Sequence, residues 1–229
     1  MKRARQFIAI NVAMTADGKL APANRKFVPF TTPRDHELML ELRARHDAVM
    51  SGARTVDLGP VTLPVGGEKY VRKRRQRGLA DAHIRVLVSG SGSIDPNSKI
   101  FESRFGPIII FTTEKAGQKR IKSLGKLADA LHISPGKNLD FAAACQWLRR
   151  EWKVKTLLCE GGGAVNGGLF EARLVDRIYL TIAPTILGGR EAPTPADGRG
   201  FAELSLAARF KAKSIQRIGD ELYTVFDAA

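Results

Sequence analysis

Residues 155–170 read Lys155-Thr156-Leu157-Leu158-Cys159-Glu160-Gly161-Gly162-Gly163-Ala164-Val165-Asn166-Gly167-Gly168-Leu169-Phe170. The first five predict a short buried strand, the glycines a tight turn, and the residues after them a helix. Strand, turn and helix in succession are the building unit of α/β folds. N–H groups at such a helix start can face an anion, and glycines let a pyrophosphate approach the backbone closely. The competing reading is a turn that packs helix tightly against sheet. The spacing is not G-x-G-x-x-G, and no acid about 20 residues on ends a following strand. Glu160 closes a strand where open α/β sheets bind ligands. It would accept N–H bonds from a heterocycle, or serve as a helix-start or salt-bridge carboxylate.

The same alternation extends in both directions. Strand patterns occur at 7–13, 47–51, 84–88, 107–111 and 130–133, and the nearly all β-branched run at 107–111 marks an interior strand. Helical patterns occur at 116–127 and 139–152. A further helix begins at Thr32-Pro33-Arg34-Asp35, with Thr32 as cap, Pro33 in the first turn and an acid following. The tail changes character. Strands at 175–183, 210–216 and 222–226 follow, with Gly219-Asp220 between the last two, which predicts an antiparallel hairpin at a sheet edge. The expected fold is α/β. It is a mixed, mostly parallel sheet of about eight or nine strands with flanking helices and a C-terminal hairpin, in a single domain spanning 1–229. Residues 57–82 read as a long loop, the kind that is functional or mobile.

Composition narrows the function classes. The chain has 229 residues, 44% of them apolar, enough for one sizeable core or at most two small ones. No apolar run is long enough to span a bilayer, and the N-terminus lacks a secretory pattern, so the expectation is a cytoplasmic protein. Cys145 and Cys159 form no C-x-x-C pair and read as buried free thiols. His36, His46, His83 and His132 have no ligand spacing, so no metal is expected. The formal charge of +14 fits either nucleic-acid binding or attraction of a polyanionic small molecule. Part of it lies in the run Lys69-Tyr70-Val71-Arg72-Lys73-Arg74-Arg75-Gln76-Arg77. That run reads as a solvated loop, a phosphate-facing loop over a site, or a nucleic-acid patch. No nucleic-acid-binding signature supports the last.

Several segments together resemble one family. Glu160-Gly161-Gly162-Gly163 is followed by Leu174-Val175-Asp176-Arg177-Ile178. Ile182-Ala183-Pro184-Thr185-Ile186-Leu187-Gly188-Gly189 comes next, then Glu191-Ala192-Pro193-Thr194. In that order they resemble the reductase of riboflavin biosynthesis, which has the dihydrofolate-reductase-like fold. The N-terminal half agrees. Asn11-Val12-Ala13-Met14-Thr15-Ala16-Asp17-Gly18-Lys19 resembles the family's opening strand and D-G-K turn. Residues 43–56 resemble its R-x-x-x-D-A-[IV]-[LM]-x-G-x-x-T-V stretch. The similarity spans nearly the whole chain. No deaminase zinc signature is present, so the resemblance is to the free-standing archaeal and fungal type.

The resemblance implies reduction of a ribosylamino pyrimidine 5′-phosphate to its ribitylamino form with NADPH. It implies that Ala13, Thr55 and Ser89 line the cofactor. The turn formed by Gly161, Gly162, Gly163, Ala164, Val165, Asn166, Gly167 and Gly168 would hold the pyrophosphate. Asn11, Arg43 and Glu160 would contact substrate, with Asn11 and Glu160 orienting the pyrimidine for catalysis. Apart from the family, Arg54 stands where a helix begins and would pair with the 2′-phosphate of NADPH. Asp57 is a candidate general acid. The segments Phe27-Val28-Pro29-Phe30-Thr31 and residues 55–63 depart from the family pattern on the substrate side, and Arg72, Lys73 or Arg74 would replace a missing phosphate-binding Arg. Two rivals remain: a reductase of a pterin or other heterocycle, and a basic nucleic-acid-binding protein on the same fold. The resemblance also implies a homodimer.

Overall fold

Strand β1 (Phe7–Thr15) buries Ile8, Ala9, Ile10 and Val12 in the core. It belongs to a computed structural model that describes residues 5–26, 28–57, 59, 61–103 and 105–229. Phe27, Leu58 and Pro60, which fall in the two segments that depart from the family pattern, lie outside the described residues. The architecture is α/β, with a nine-stranded, mostly parallel sheet, flanking helices and a C-terminal antiparallel hairpin. The chain divides into two compact units, the first comprising residues 1–7 and 40–158, the second residues 8–39 and 159–229.

The first unit holds β2 (Ala48–Gly52), β3 (Ile84–Val88), β4 (Ile108–Thr113), β5 (Ala130–Ser134) and most of β6 (Thr156–Cys159), in the order β5-β4-β3-β2-β6. The pairs β2–β3, β3–β4 and β4–β5 are parallel. Every residue of β2 and β4 is buried, the mark of strands covered on both faces. Asp47 sets the start of β2. Its Oδ2 accepts from the N–H groups of Lys155 and Thr156 and from Thr156 Oγ1, each within 2.9 Å. Helices α2 (Ala53–Asp57), α3 (Glu68–Gln76), α4 (Lys99–Glu102), α5 (Gly117–Leu127) and α6 (Phe141–Trp152) complete this unit, with Asp140 Oδ1 capping α6 by accepting from Ala143 N–H.

The basic run corrects one expectation. Residues 57–82 are not a structureless loop, because the Lys/Arg stretch forms α3. Lys, Arg and Gln are good helix formers, neither Gly nor Pro interrupts residues 68–77, and the cations crowd the last turn, where the helix dipole favours them. Tyr70 and Arg74, one turn apart, are buried. Arg74 donates from Nε to the Ala80 carbonyl at 2.6 Å and from Nη1 to those of Arg43 and His46 at 2.9 and 2.7 Å. Its guanidinium holds backbone together and is not offered to a ligand. Lys73 pairs with Glu41. Two of the three cations expected to replace the phosphate-binding Arg are therefore engaged within the protein, and only Arg72 is exposed.

The second unit holds nearly all of β1, with β7 (Arg177–Ala183), β8 (Phe210–Ile218) and β9 (Glu221–Ala228), in the order β1-β7-β9-β8. Strand β1 runs parallel to β7, with Asn11 opposite Tyr179, and β9 is antiparallel to both its neighbours. The hairpin turn at Gly219 takes φ 61, a left-handed conformation that suits glycine. Helix α7 (Gly163–Glu171) follows the glycine turn. Helix α1 (Pro33–Arg43) starts where expected, and the Thr32 hydroxyl before it has a distant partner. That hydroxyl donates to Glu221 Oε2 at 2.7 Å, and the Thr32 N–H donates to Glu221 Oε1. No helix of the described residues is long and apolar enough to cross a membrane.

Candidate active site

In the second unit the glycine turn divides into two faces. One is closed by protein. A Cβ on Gly163 would overlap the Thr194 carbonyl and the Asp197 carboxylate, and one on Gly167 would overlap the Asp197 carbonyl. Asn166 is fully buried. Its Nδ2 donates to the Pro195 carbonyl at 2.9 Å, and its Oδ1 accepts from Cys159 Sγ at 3.3 Å. A Cβ on Gly161 would press on Val165, itself buried. Gly163, Asn166 and Gly167 therefore pack the helix against residues 194–197, which is the packing alternative weighed for this turn.

The other face is half-buried at Gly162 and exposed at Ala164. Gly162 caps α7, and Val165 and Asn166 N–H both turn back to the Gly162 carbonyl. The N–H groups of Gly162, Gly163 and Ala164 have no hydrogen-bond partner among the described residues, and Ala164 is exposed. Free N–H groups at the positive end of a helix suit phosphate oxygens. The turn thus fits one polyphosphate edge at residues 162–164. Glu160, half-buried, stands at the end of β6 immediately before it, and Asn11 and Ala13 are half-buried on one side of β1.

In the first unit Arg54 is exposed and Thr55 half-buried in the single turn of α2, directly after β2. Asp57 ends that turn. Loss of hydration, followed by the nearby Asp95 charge, raises its carboxyl pKa, while a hydrogen bond from Asp95 N–H opposes the rise. Ser89 follows β3 and donates from Oγ to the Ser93 carbonyl at 3.2 Å. Arg43 is buried, and its Nη1 donates to the Pro64 carbonyl at 2.9 Å.

A family model, that of the RibD C-terminal domain, matches residues 6–224 and so spans both units. The chain belongs to this family. Among its relatives is the 2,5-diamino-6-ribosylamino-4(3H)-pyrimidinone 5′-phosphate reductase of Methanothermobacter thermautotrophicus, 30% identical over 224 residues. That alignment covers 96% of this chain and 99% of the relative. The protein of the same name from Archaeoglobus fulgidus is 27% identical, with 94% and 95% covered. The crystal structure of a pyrimidine reductase-like protein from Corynebacterium diphtheriae superposes with a TM-score of 0.79 at 21% identity, covering 98% of this chain and 92% of that one. Membership of a reductase family implies a nicotinamide cofactor.

Seen as a RibD C-terminal domain, the chain shows residues whose roles its sequence alone hid. Asp17, in the D-G-K turn, accepts from Thr15 Oγ1 and from the N–H groups of Leu187 and Gly188, tying that turn to the A-P-x-x-x-G-G segment. The Thr15 hydroxyl, with these N–H groups, lowers its carboxyl pKa to about 2. Around Glu221 gather Thr32, Tyr223 and, in the first turn of α1, Asp35. Burial raises the Asp35 pKa against hydrogen bonds from Thr181 and Thr31. The sequence reading named both motifs of the first cluster but not their contact, and nothing in it signalled the second.

Proposed function

We propose that this chain is the NADPH-dependent reductase that converts a ribosylamino pyrimidine 5′-phosphate to its ribitylamino form in riboflavin biosynthesis. The observation that carries this reading is end-to-end correspondence with reductases that bear that substrate in their name, 96% of this chain against 99% of one relative. The cofactor supplies a hydride when bound. Gly162, Gly163 and Ala164 would direct their N–H groups at its pyrophosphate, since these are the groups the fold leaves unsatisfied. Glu160 would accept N–H bonds from the pyrimidine, and Asn11 would orient the same ring through its amide. Positioning is the main contribution asked of both. Arg54, exposed, is the proposed partner of a 2′-phosphate and the reason for preferring NADPH over NADH. Asp57, its pKa already raised, is the proposed proton donor. Localisation in the cytoplasm and a homodimer belong to the same proposal.

The test is direct. Purified protein with NADPH and 2,5-diamino-6-ribosylamino-4(3H)-pyrimidinone 5′-phosphate should consume the NADPH absorbance band. Tight NADPH binding with turnover of a dihydropterin, and none of this substrate, would overturn the substrate assignment.

A further inference from the structure

The first unit carries the whole +14 excess, while in the second Lys and Arg balance Asp and Glu. A dinucleotide and one sugar phosphate do not call for so broad a field. Much of the charge on α3 is neutralised in place: Lys73 by Glu41, and Arg75 by Asp81 and Glu68. Helix α5 differs. No Asp or Glu occurs from Lys115 to Leu127. The flanking acids are committed to backbone, Glu114 accepting from Gly136 N–H at 2.7 Å and Asp129 from Ile108 N–H at 2.8 Å.

Lys119, Lys122 and Lys126 are all exposed, and their i, i+3, i+7 spacing places them on one face of α5. No ion pair among the described residues reaches them. Lys115, also exposed, precedes them on the N-terminal side. The stripe from 119 to 126 is ~10 Å long, a distance over which a nucleic-acid duplex presents about six charges.

We propose that the exposed lysine face of α5 docks a nucleic-acid backbone, recognised by charge and not by sequence. A membrane surface fits less well. A helix lying in a bilayer interface inserts an apolar face beside its basic one. The apolar side of α5 is spent inward, with Leu124 buried and Ile121 and Leu127 half-buried.

The test measures fluorescence anisotropy of labelled single-stranded RNA and duplex DNA of mixed sequence against the full chain over a range of salt. Expected is binding with Kd in the ~10⁻⁴–10⁻⁶ M range, steeply salt-dependent. Lys119→Gln/Lys122→Gln/Lys126→Gln should weaken it about tenfold and flatten the salt slope by about 2–3 units, with reductase turnover and circular dichroism unchanged. Lys26→Gln/Arg209→Gln/Lys211→Gln removes the same charge from the second unit and should have little effect. Binding of either nucleic acid through α5 supports the proposal, and the ratio of the two says which is preferred. Absence of binding, equal loss in both triple variants, or binding only to phosphatidylserine vesicles would overturn it.

Discussion

The Asn166 side chain donates to the Pro195 carbonyl at 2.9 Å, so the helix that opens with the glycine turn is fastened to the loop packed against it. The bond is part-buried, and losing a hydrogen bond of this kind costs about 0.5–1.5 kcal/mol. Asn166→Ala should therefore lower the urea-unfolding free energy by that amount. Affinity of the folded protein for NADPH should change little, because the N–H groups offered to phosphate lie at residues 162–164 on the other face. A large loss of cofactor affinity at unchanged stability would return Asn166 to the cofactor site.

Gly167→Ala should be worse still. The added Cβ collides with the Asp197 backbone, which cannot rotate away as a flexible side chain does. Overpacking costs typically about 1–3 kcal/mol and sometimes more. Gly125→Ala, inside α5, is the contrast. The nearest atom to its Cβ is Leu131 Cδ1 at 3.8 Å, and Ala is the better helix former. That variant should gain about 0.5–1 kcal/mol in the same denaturation experiment.

Local pattern carried most of the fold. Strands buried on both faces, such as residues 108–113, announce themselves by β-branched runs, and Gly219-Asp220 announces its hairpin. What stayed hidden depends on residues distant in sequence. That the glycines at 163 and 167 leave room for Asp197, some thirty residues on, no local pattern announces. Helix α3 was concealed for another reason: its buried face includes an arginine, so hydrophobic periodicity had little to register. The acceptor for the Thr32 hydroxyl, Glu221, lies nearly two hundred residues away.

Asp17 sets an acid limit on the second unit. Its pKa falls from 3.8 to about 2 in the folded chain, so folding favours its ionised form. The stability it contributes is fully present above the unfolded value and is lost as pH falls through about 2. Asp17→Asn should thus be less stable than the parent at neutral pH, and the gap in thermal midpoint should shrink between pH 4 and pH 2. A gap independent of pH would mean that the charge of Asp17 contributes nothing.

Two substitutions separate cofactor from substrate. Arg54→Ala should raise KM for NADPH about 10- to 100-fold, the worth of a charge-assisted hydrogen bond, and leave KM for NADH alone. Glu160→Gln should lower kcat/KM for the pyrimidine by a similar factor while NADPH still binds, measured by fluorescence titration. Equal use of both nicotinamides by the parent enzyme would remove the role given to Arg54.

The basic helix offers the last contrast. Arg74 and Arg72 are two residues apart in one charge run, yet only Arg74 is buried and bonded to three carbonyls. Burial lowers its pKa. Arg74→Met keeps bulk but strips donors from the Arg43, His46 and Ala80 carbonyls, and should cost about 3 kcal/mol in chemical denaturation. Arg74→Lys should recover only part of that, because a single ammonium cannot reproduce the planar fork. Arg72→Ala should change stability by less than about 0.5 kcal/mol, as exposed substitutions do. If Arg72→Ala instead raises KM for the phosphorylated substrate at unchanged stability, Arg72 takes the phosphate-binding role that Arg74 and Lys73 cannot fill.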